Sequence, residues 1–430
     1  MTAGTTTFLG SAGERLLPQN IPFRFFAAAV LFHVAAWIVL ALHGEQIADF
    51  SGGSGPVLAA LHLITLGVFT MTAMGASLQL LPVATLQGFA APGTINGLWW
   101  LLSFGTVCLC LGMYLSWYEA MALGGCAVAI AILVYLYLLV GNLRRGRAMA
   151  VVVAHGWLAA LSLLALLLLG LALVFNQQQG WLMDSQRVAV NHMLLALYGF
   201  MGLFAMGFSY VLVPMFALAP AAPDKVAFLA LLCAGLGLIL GIAGVGSGHD
   251  VLAAAGGALG LIGAAVHIAL MVSTLRQRLR KRLGPGFALI GLSWALFPLS
   301  LIMAIAWALD LSDVWPSWGP AVFVLSLVGW LLSLLLAMLQ RIVPFLAAMH
   351  GAASLKRPPT VTALTAQGPL SVHLFCHCAA IALLAAGIIM ALPMLIKAGA
   401  ILGLGGALAF AWFYALAMLR FRRALASATL

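Results

Sequence analysis

Residues 60–82 read ALHLITLGVFTMTAMGASLQLLP, and the same pattern returns as HMLLALYGFMGLFAMGFSYVLVP over 192–214 and as VFVLSLVGWLLSLLLAMLQRIVP over 322–344. Aligned on Pro82, Pro214 and Pro344, the copies superpose without a gap. Each carries a glycine fifteen residues before its proline (Gly67, Gly199, Gly329) and a small residue seven before it (Gly75, Gly207, Ala337). Small residues at fixed offsets let helices approach closely inside a membrane. The three segments are therefore expected to be the inner helices of a pseudo-threefold bundle.

The surrounding chain is 65% hydrophobic and only 7% charged over 430 residues, with apolar runs longer than a membrane needs following one another throughout. Twelve spans are expected, at 22–43, 56–83, 96–116, 119–143, 148–175, 187–218, 224–245, 251–274, 285–309, 318–345, 369–397 and 398–421. Twelve spans over three copies give four helices per repeat: 22–143, 148–274 and 285–421, within one integral membrane domain covering 1–430. The longest connection, near 346–368, reads as a loop. No cleavable signal peptide is expected, because the first apolar stretch is itself a full span.

The net charge of +10 suggests nucleic acid until the charges are placed. With the N-terminus cytoplasmic, Arg144, Arg145 and Arg147, the run Arg276 to Arg282, Lys356 and Arg357, and Arg420, Arg422 and Arg423 share one side. All 19 Lys and Arg do so except Arg187 and Lys397, and all nine acids except Glu14 and Asp224 take the other side. The asymmetry obeys the positive-inside rule. It predicts both termini in the cytoplasm of a bacterial inner membrane, membrane lipid as the surrounding partner, and no nucleic acid. The six cysteines all fall in apolar spans and match no zinc spacing. Trp99, Trp117, Trp181, Trp315 and Trp318 cluster at span ends as an interfacial belt.

Among ten histidines, two open repeat helices at similar depth: His62 twenty residues before its proline, and His192 twenty-two before its own. Two residues on a helix amount to about 200° of rotation. On neighbouring helices the two rings either meet in a shared pocket or turn apart, and periodicity alone does not choose. Meeting would set imidazoles on both faces of a flat cofactor, as in bis-histidine haem ligation.

A helix with histidine, glycines on its lower turns and a terminal proline, repeated through twelve spans, resembles the haem-copper oxidase subunit I superfamily and its shorter NnrS-type relatives. The likeness in layout covers all twelve spans; residue agreement is confined to the three repeat helices. His62 stands in the register of the second member of that family's His-x-His pair, and His192 in a register like that of the opposing low-spin haem ligand. The resemblance implies one haem b between His62 and His192, with Arg187 above it as a propionate partner. Ala60 replaces the high-spin haem's histidine, the seventh span has no histidine where the oxidases hold copper, and no Asp or Glu lies deep in a span. These departures argue against a proton-pumping terminal oxidase.

His373 and His377, four apart on one face of the eleventh span beside Cys376 and Cys378, suit a metal, copper or a second haem, or structural hydrogen bonding. His155 and His267 share a comparable inner depth. His33, in the first span, either faces the haem pocket or donates to a backbone carbonyl. His43, His249 and His350 fall at membrane edges or in loops. Met71, Met74 and Met206 read as packing residues. The resemblance implies a redox or electron-transfer role, extending to haem-dependent oxidoreductase chemistry linked to nitric oxide or oxygen, with a quinol or cytochrome c as redox partner. The alternatives are a twelve-helix secondary transporter and a cofactor-free assembly factor.

Overall fold

The computed structural model describes residues 17–85, 92–146, 149–311 and 318–427; Arg147, Asp313 and Trp315 lie outside the described residues. Those residues contain helices and no strand. Twelve helices are long and apolar enough to cross a bilayer: α1 (Asn20–Ile47), α2 (Pro56–Pro82), α3 (Pro92–Leu115), α4 (Tyr118–Leu143), α5 (Ala150–Gln179), α6 (Ser185–Ala217), α7 (Asp224–Ser247), α8 (Asp250–Arg276), α9 (Pro285–Ala308), α10 (Gly319–Ser354), α11 (Gln367–Ile389) and α12 (Pro393–Ala426). The chain is a multi-pass membrane protein, and helices that satisfy their own backbone groups are what lipid demands of it.

The three helices that carry the repeat, α2, α6 and α10, are the most buried of the twelve, α10 almost wholly. Each contains a π-helical stretch at one register: Leu63–Thr70, Leu195–Gly202 and Val324–Leu332. All three end twelve residues before the repeat proline and enclose its conserved-register glycine. A wider π turn frees a carbonyl, and nearby hydroxyls answer it: Thr70 Oγ1 donates to Thr65 O (2.9 Å) and Ser333 Oγ to Val328 O (3.1 Å). Against these stretches the glycines receive neighbours: Gly67 meets Phe32 of α1, Gly199 meets Ser162 of α5, and Gly329 meets Leu296 of α9.

Six of the nine remaining helices pair as hairpins, α3 with α4, α7 with α8 and α11 with α12, and the three pairs use the same device. Gly112 and Gly124, Gly244 and Gly256, and Gly387 and Gly399 stand twelve residues apart in each pair. A Cβ at Gly124 would lie 2.8 Å from Gly105 O, at Gly256 2.6 Å from Gly237 O, and at Gly399 3.1 Å from Ala380 O. At Gly124 and Gly256 only glycine admits backbones this close, and at Gly399 a side chain would force the neighbouring backbone back by a few tenths of an ångström.

Two boundaries differ from the sequence expectation. The break between α11 and α12 falls at residues 390–392 rather than near Lys397, because Ala391 adopts φ 51° and Pro393 opens the next helix with its fixed φ. The repeat prolines do not end the helices: helical backbone runs past Pro82 to Thr85, past Pro214 to Ala217 and past Pro344 to Ser354. Past Pro344 the chain stays helical to Ser354, and a short helix, Val361–Leu364, interrupts what was expected to be loop. His350 is consequently buried, its ring 5.9 Å from that of Phe23.

Candidate functional site

His62 closes the first α-helical turns of α2, and His192 stands three residues before the π stretch of α6. Their rings face each other with centroids 6.3 Å apart and planes 25° from parallel. Both are half-buried. His62 Nδ1 lies 3.0 Å from the carbonyl of Leu58, one turn back on its own helix. His192 Nδ1 lies 3.1 Å from the carbonyl of Leu166 on α5.

A carbonyl oxygen only accepts, so both Nδ1 atoms carry the proton and both Nε2 atoms present a lone pair. Among the described residues neither Nε2 has a hydrogen-bond partner. Two Nε2 lone pairs on neighbouring rings are available to an electrophile such as a metal ion. The far-side carbonyl is the partner that metal-ligating histidines use to fix tautomer and ring orientation.

The spacing gives a test of fit. An imidazole nitrogen binds a metal at about 2 Å, and the ring centroid lies about 1 Å further back, so two trans ligands stand about 6 Å apart, centroid to centroid. The observed 6.3 Å fits that value. It is too long for van der Waals stacking of the rings on each other.

One residue of this site has no sequence motif. Gly170 of α5 lies under the His192 ring, where a Cβ would come within 2.9 Å of Cε1. The visible sign is an isolated glycine in the run LLALLLLGLAL, a position with no helical reason to lack a side chain.

Arg187 is turned to other partners. Its Nε pairs with Asp184 Oδ2 at 3.0 Å, both side chains about half exposed, and its guanidinium lies against Gly248 at the α7–α8 turn. It lines a cavity whose walls include neither His62 nor His192.

The weaker sequence candidates form a second, fully buried group. His33 Nε2 accepts from Trp37 Nε1 (3.0 Å), so its proton sits on Nδ1, which has no partner. This replaces the expected donation to a backbone carbonyl. His373 Nδ1 donates to Gly406 O (3.0 Å), leaving its Nε2 without a partner. The His33 and His373 centroids are 6.5 Å apart, with planes at 77°. His377, 5.4 Å from His373, has its Nε2 2.8 Å from Ser333 Oγ on α10. Ser333 already donates to Val328 O, so it accepts from His377. Among the described residues no set of three or more His, Cys, Asp or Glu is arranged to hold a metal ion.

A third pair flanks Tyr210. His267 Nδ1 lies 2.9 Å from the Tyr210 hydroxyl, and the His155 ring stands 5.5 Å from the tyrosine ring with Nδ1 on Val151 O. His43 meets the Tyr114 hydroxyl at 2.9 Å, and His249 meets Ser247 Oγ at 2.9 Å. Met71, Met74 and Met206 are buried among core residues. A scan against protein-family models gives no match, and no curated protein is similar in sequence.

Proposed function

We propose that the chain is an integral membrane b-type haem protein, holding one low-spin haem between α2 and α6 with His62 and His192 as its axial ligands. The single observation that carries this reading is the imidazole pair, its centroids 6.3 Å apart, with both Nδ1 protons tied to carbonyls and both Nε2 atoms without a hydrogen-bond partner among the described residues.

A haem held this way supplies reversible one-electron exchange at iron. The chain's own part is to fix both rings before the cofactor arrives. Leu58 and Leu166 set the tautomers, Gly170 makes room for the His192 ring, and the surrounding apolar helices lower the dielectric. With His62 and His192 both holding the group, the chemistry it would supply most readily is electron transfer; handling nitric oxide or oxygen would require one of the two histidines to release it.

The reading includes the resemblance to the haem-copper oxidase superfamily and its NnrS-type relatives, a pseudo-threefold 4+4+4 arrangement, and both termini in the cytoplasm of a bacterial inner membrane. The recurrence of π stretches at one register in α2, α6 and α10, and of glycine pairs in the three hairpins, supports the internal symmetry. The distribution of Lys and Arg supports the orientation. The test is the absorption spectrum of protein purified from haem-sufficient cells, followed by haem extraction and metal analysis. A Soret band with sharp α and β bands on reduction supports the reading; a colourless protein refutes it.

A further inference from the structure

Positive charge is concentrated without balance at one end of the bundle, away from the histidines. Residues 276–282, RQRLRKR, carry five cations and no acid. The segment is docked rather than free: Leu279 N–H donates to Leu218 O (3.0 Å) and Arg280 N–H to Ala217 O (3.2 Å), which ties it to the end of α6. Arg280 is half-buried there and lies within electrostatic reach of Arg341 on α10. Arg341 is also half-buried, its guanidinium carbon 5.4 Å from the centre of the Phe287 ring.

Arg341 lies against the N-terminus of α9, and two glycines make room for it. Gly284 precedes the helix at φ 74°, and a Cβ there would stand 3.4 Å from Arg341 Nη2. A Cβ at Gly286 would stand 3.2 Å from Ala337 O, 3.3 Å from Gln340 Oε1 and 3.7 Å from Arg341 Nε. A helix N-terminus is the positive end of its dipole, so it repels a guanidinium. Two arginines and that dipole end thus converge, and among the described residues neither guanidinium has an acidic partner. Like charges brought together partly out of water, with no counter-charge, destabilise the fold.

Gln340 points to a ligand independently of the charges. It is 2% exposed, and neither its Oε1 nor its Nε2 has a hydrogen-bond partner among the described residues. A buried amide left this way is rare and costly. Beside it, Pro285 has no N–H and Gly286 N–H finds no backbone acceptor among the described residues. The unused donors around Gly286 are therefore an amide, a helix-terminal N–H and two guanidiniums, and one oxyanion satisfies that set.

We propose that the N-terminus of α9, with Arg341, Arg280 and Gln340, is a binding site for a phosphate group, that of an anionic phospholipid headgroup. The two guanidiniums neutralise the phosphate and match its oxygens with paired donors. The lipid source is favoured by depth, because α6 and α8 end and α9 begins at this level, which sets the site among the headgroups. It is favoured also by Leu279 and Leu218, 80% and 52% exposed, which stand beside the arginines as contacts for acyl chains. Free inorganic phosphate would make no use of those leucines.

The test is native mass spectrometry of the delipidated full-length protein, titrated with phosphatidylglycerol, with phosphatidylcholine of the same chains, or with phosphatidylglycerol in the presence of inorganic phosphate. The readout involves neither His62 nor His192, so it stands apart from the haem reading. The expected result is one tightly held phosphatidylglycerol per chain, preferred over phosphatidylcholine, whose choline cation meets the same positive field, and not displaced by equimolar inorganic phosphate. Arg341→Gln should weaken that first lipid roughly fivefold, the effect of one cation at a membrane surface. Arg280→Gln, outside the spans, is the second variant should the first misfold. Gln340→Leu should weaken it several-fold. Arg278→Gln should change it far less, since Arg278 is an exposed cation of the same segment whose Nη1 donates to Leu275 O. No preference for phosphatidylglycerol, displacement by equimolar inorganic phosphate, unchanged affinity in a folded variant of Arg341, Arg280 or Gln340, or an equal loss in Arg278→Gln would overturn the assignment.

Discussion

Gly170 lies directly beneath the imidazole of His192, so close that a methyl group there would stand 2.9 Å from Cε1. The glycine and the histidine are on different helices, and the carbonyl of Leu166, one turn before Gly170, is the one that receives the His192 Nδ1 proton. One turn of α5 thus gives His192 both its space and its tautomer. Gly170→Ala is expected to push the ring away from His62 while leaving the helix intact, because alanine favours helix over glycine by up to about 1 kcal/mol. On the haem reading, the low-spin bands should be lost or broadened in a protein that still unfolds near the wild-type temperature. An unchanged spectrum would mean that His192 is not a ligand in this position.

The hairpin glycines and the lipid-facing glycines should separate sharply in stability. Gly256→Ala sets a methyl group 2.6 Å from Gly237 O and against the Gly241 backbone, and neither atom can yield cheaply. Overpacking of this kind costs about 1–3 kcal/mol. Gly291→Ala in α9 meets nothing within 4 Å and should be neutral or slightly stabilising. Thermal unfolding of both variants in one detergent checks this; equal melting temperatures would contradict the close backbone approach in α7 and α8.

Twelve spans and the burial of the repeat helices were legible in composition and in the glycine and proline offsets, because both follow from apolar runs and helix contact. The π stretches were not, since a helix apolar on every side carries no periodicity from which an extra residue per turn can be read. Nor was the continuation of α10 past Pro344: a proline removes one hydrogen bond, and neighbouring helices in a bundle tolerate that loss. The last boundary was expected near Lys397, whereas Ala391 and Pro393 set it at residues 390–392 by backbone angle. For His62 and His192 the spacing supplied the helices and the depth but left the sense of rotation open. The position of Arg187 above His192 on α6 is legible in the sequence, but a helix position does not reveal that Asp184, one turn earlier, holds the guanidinium.

Ser333 joins the third repeat helix to α11 through His377. Replacing it by alanine leaves the buried His377 Nε2–H without its acceptor, an omission that costs about 1–3 kcal/mol. Ser333→Ala should therefore lower the melting temperature measurably without altering any spectrum that arises at His62 and His192. A spectral change in this variant would instead tie the α11 histidines to the cofactor.

Trp37 fixes the His33 tautomer by donating to Nε2. Trp37→Phe removes the donor, keeps most of the ring volume, and frees His33 to move its proton to Nε2. The Nδ1 lone pair is then free on a ring whose centroid lies 6.5 Å from that of His373, and His373 Nε2 also has no partner. The expected outcome is a gain in binding of copper or zinc, measured by metal analysis after dialysis against a weak chelator. Equal metal content in wild type and variant would show that Trp37 does not control this pair.

The most direct measurement is the reduced-minus-oxidised absorption spectrum of purified protein, taken for wild type, His62→Ala and His192→Ala with bound haem quantified by extraction. The account predicts sharp low-spin b-type bands at one haem per chain in the wild type and their loss in each variant, since removing either ring opens an axial position. A wild-type protein without haem, or both variants retaining the wild-type bands, would contradict it.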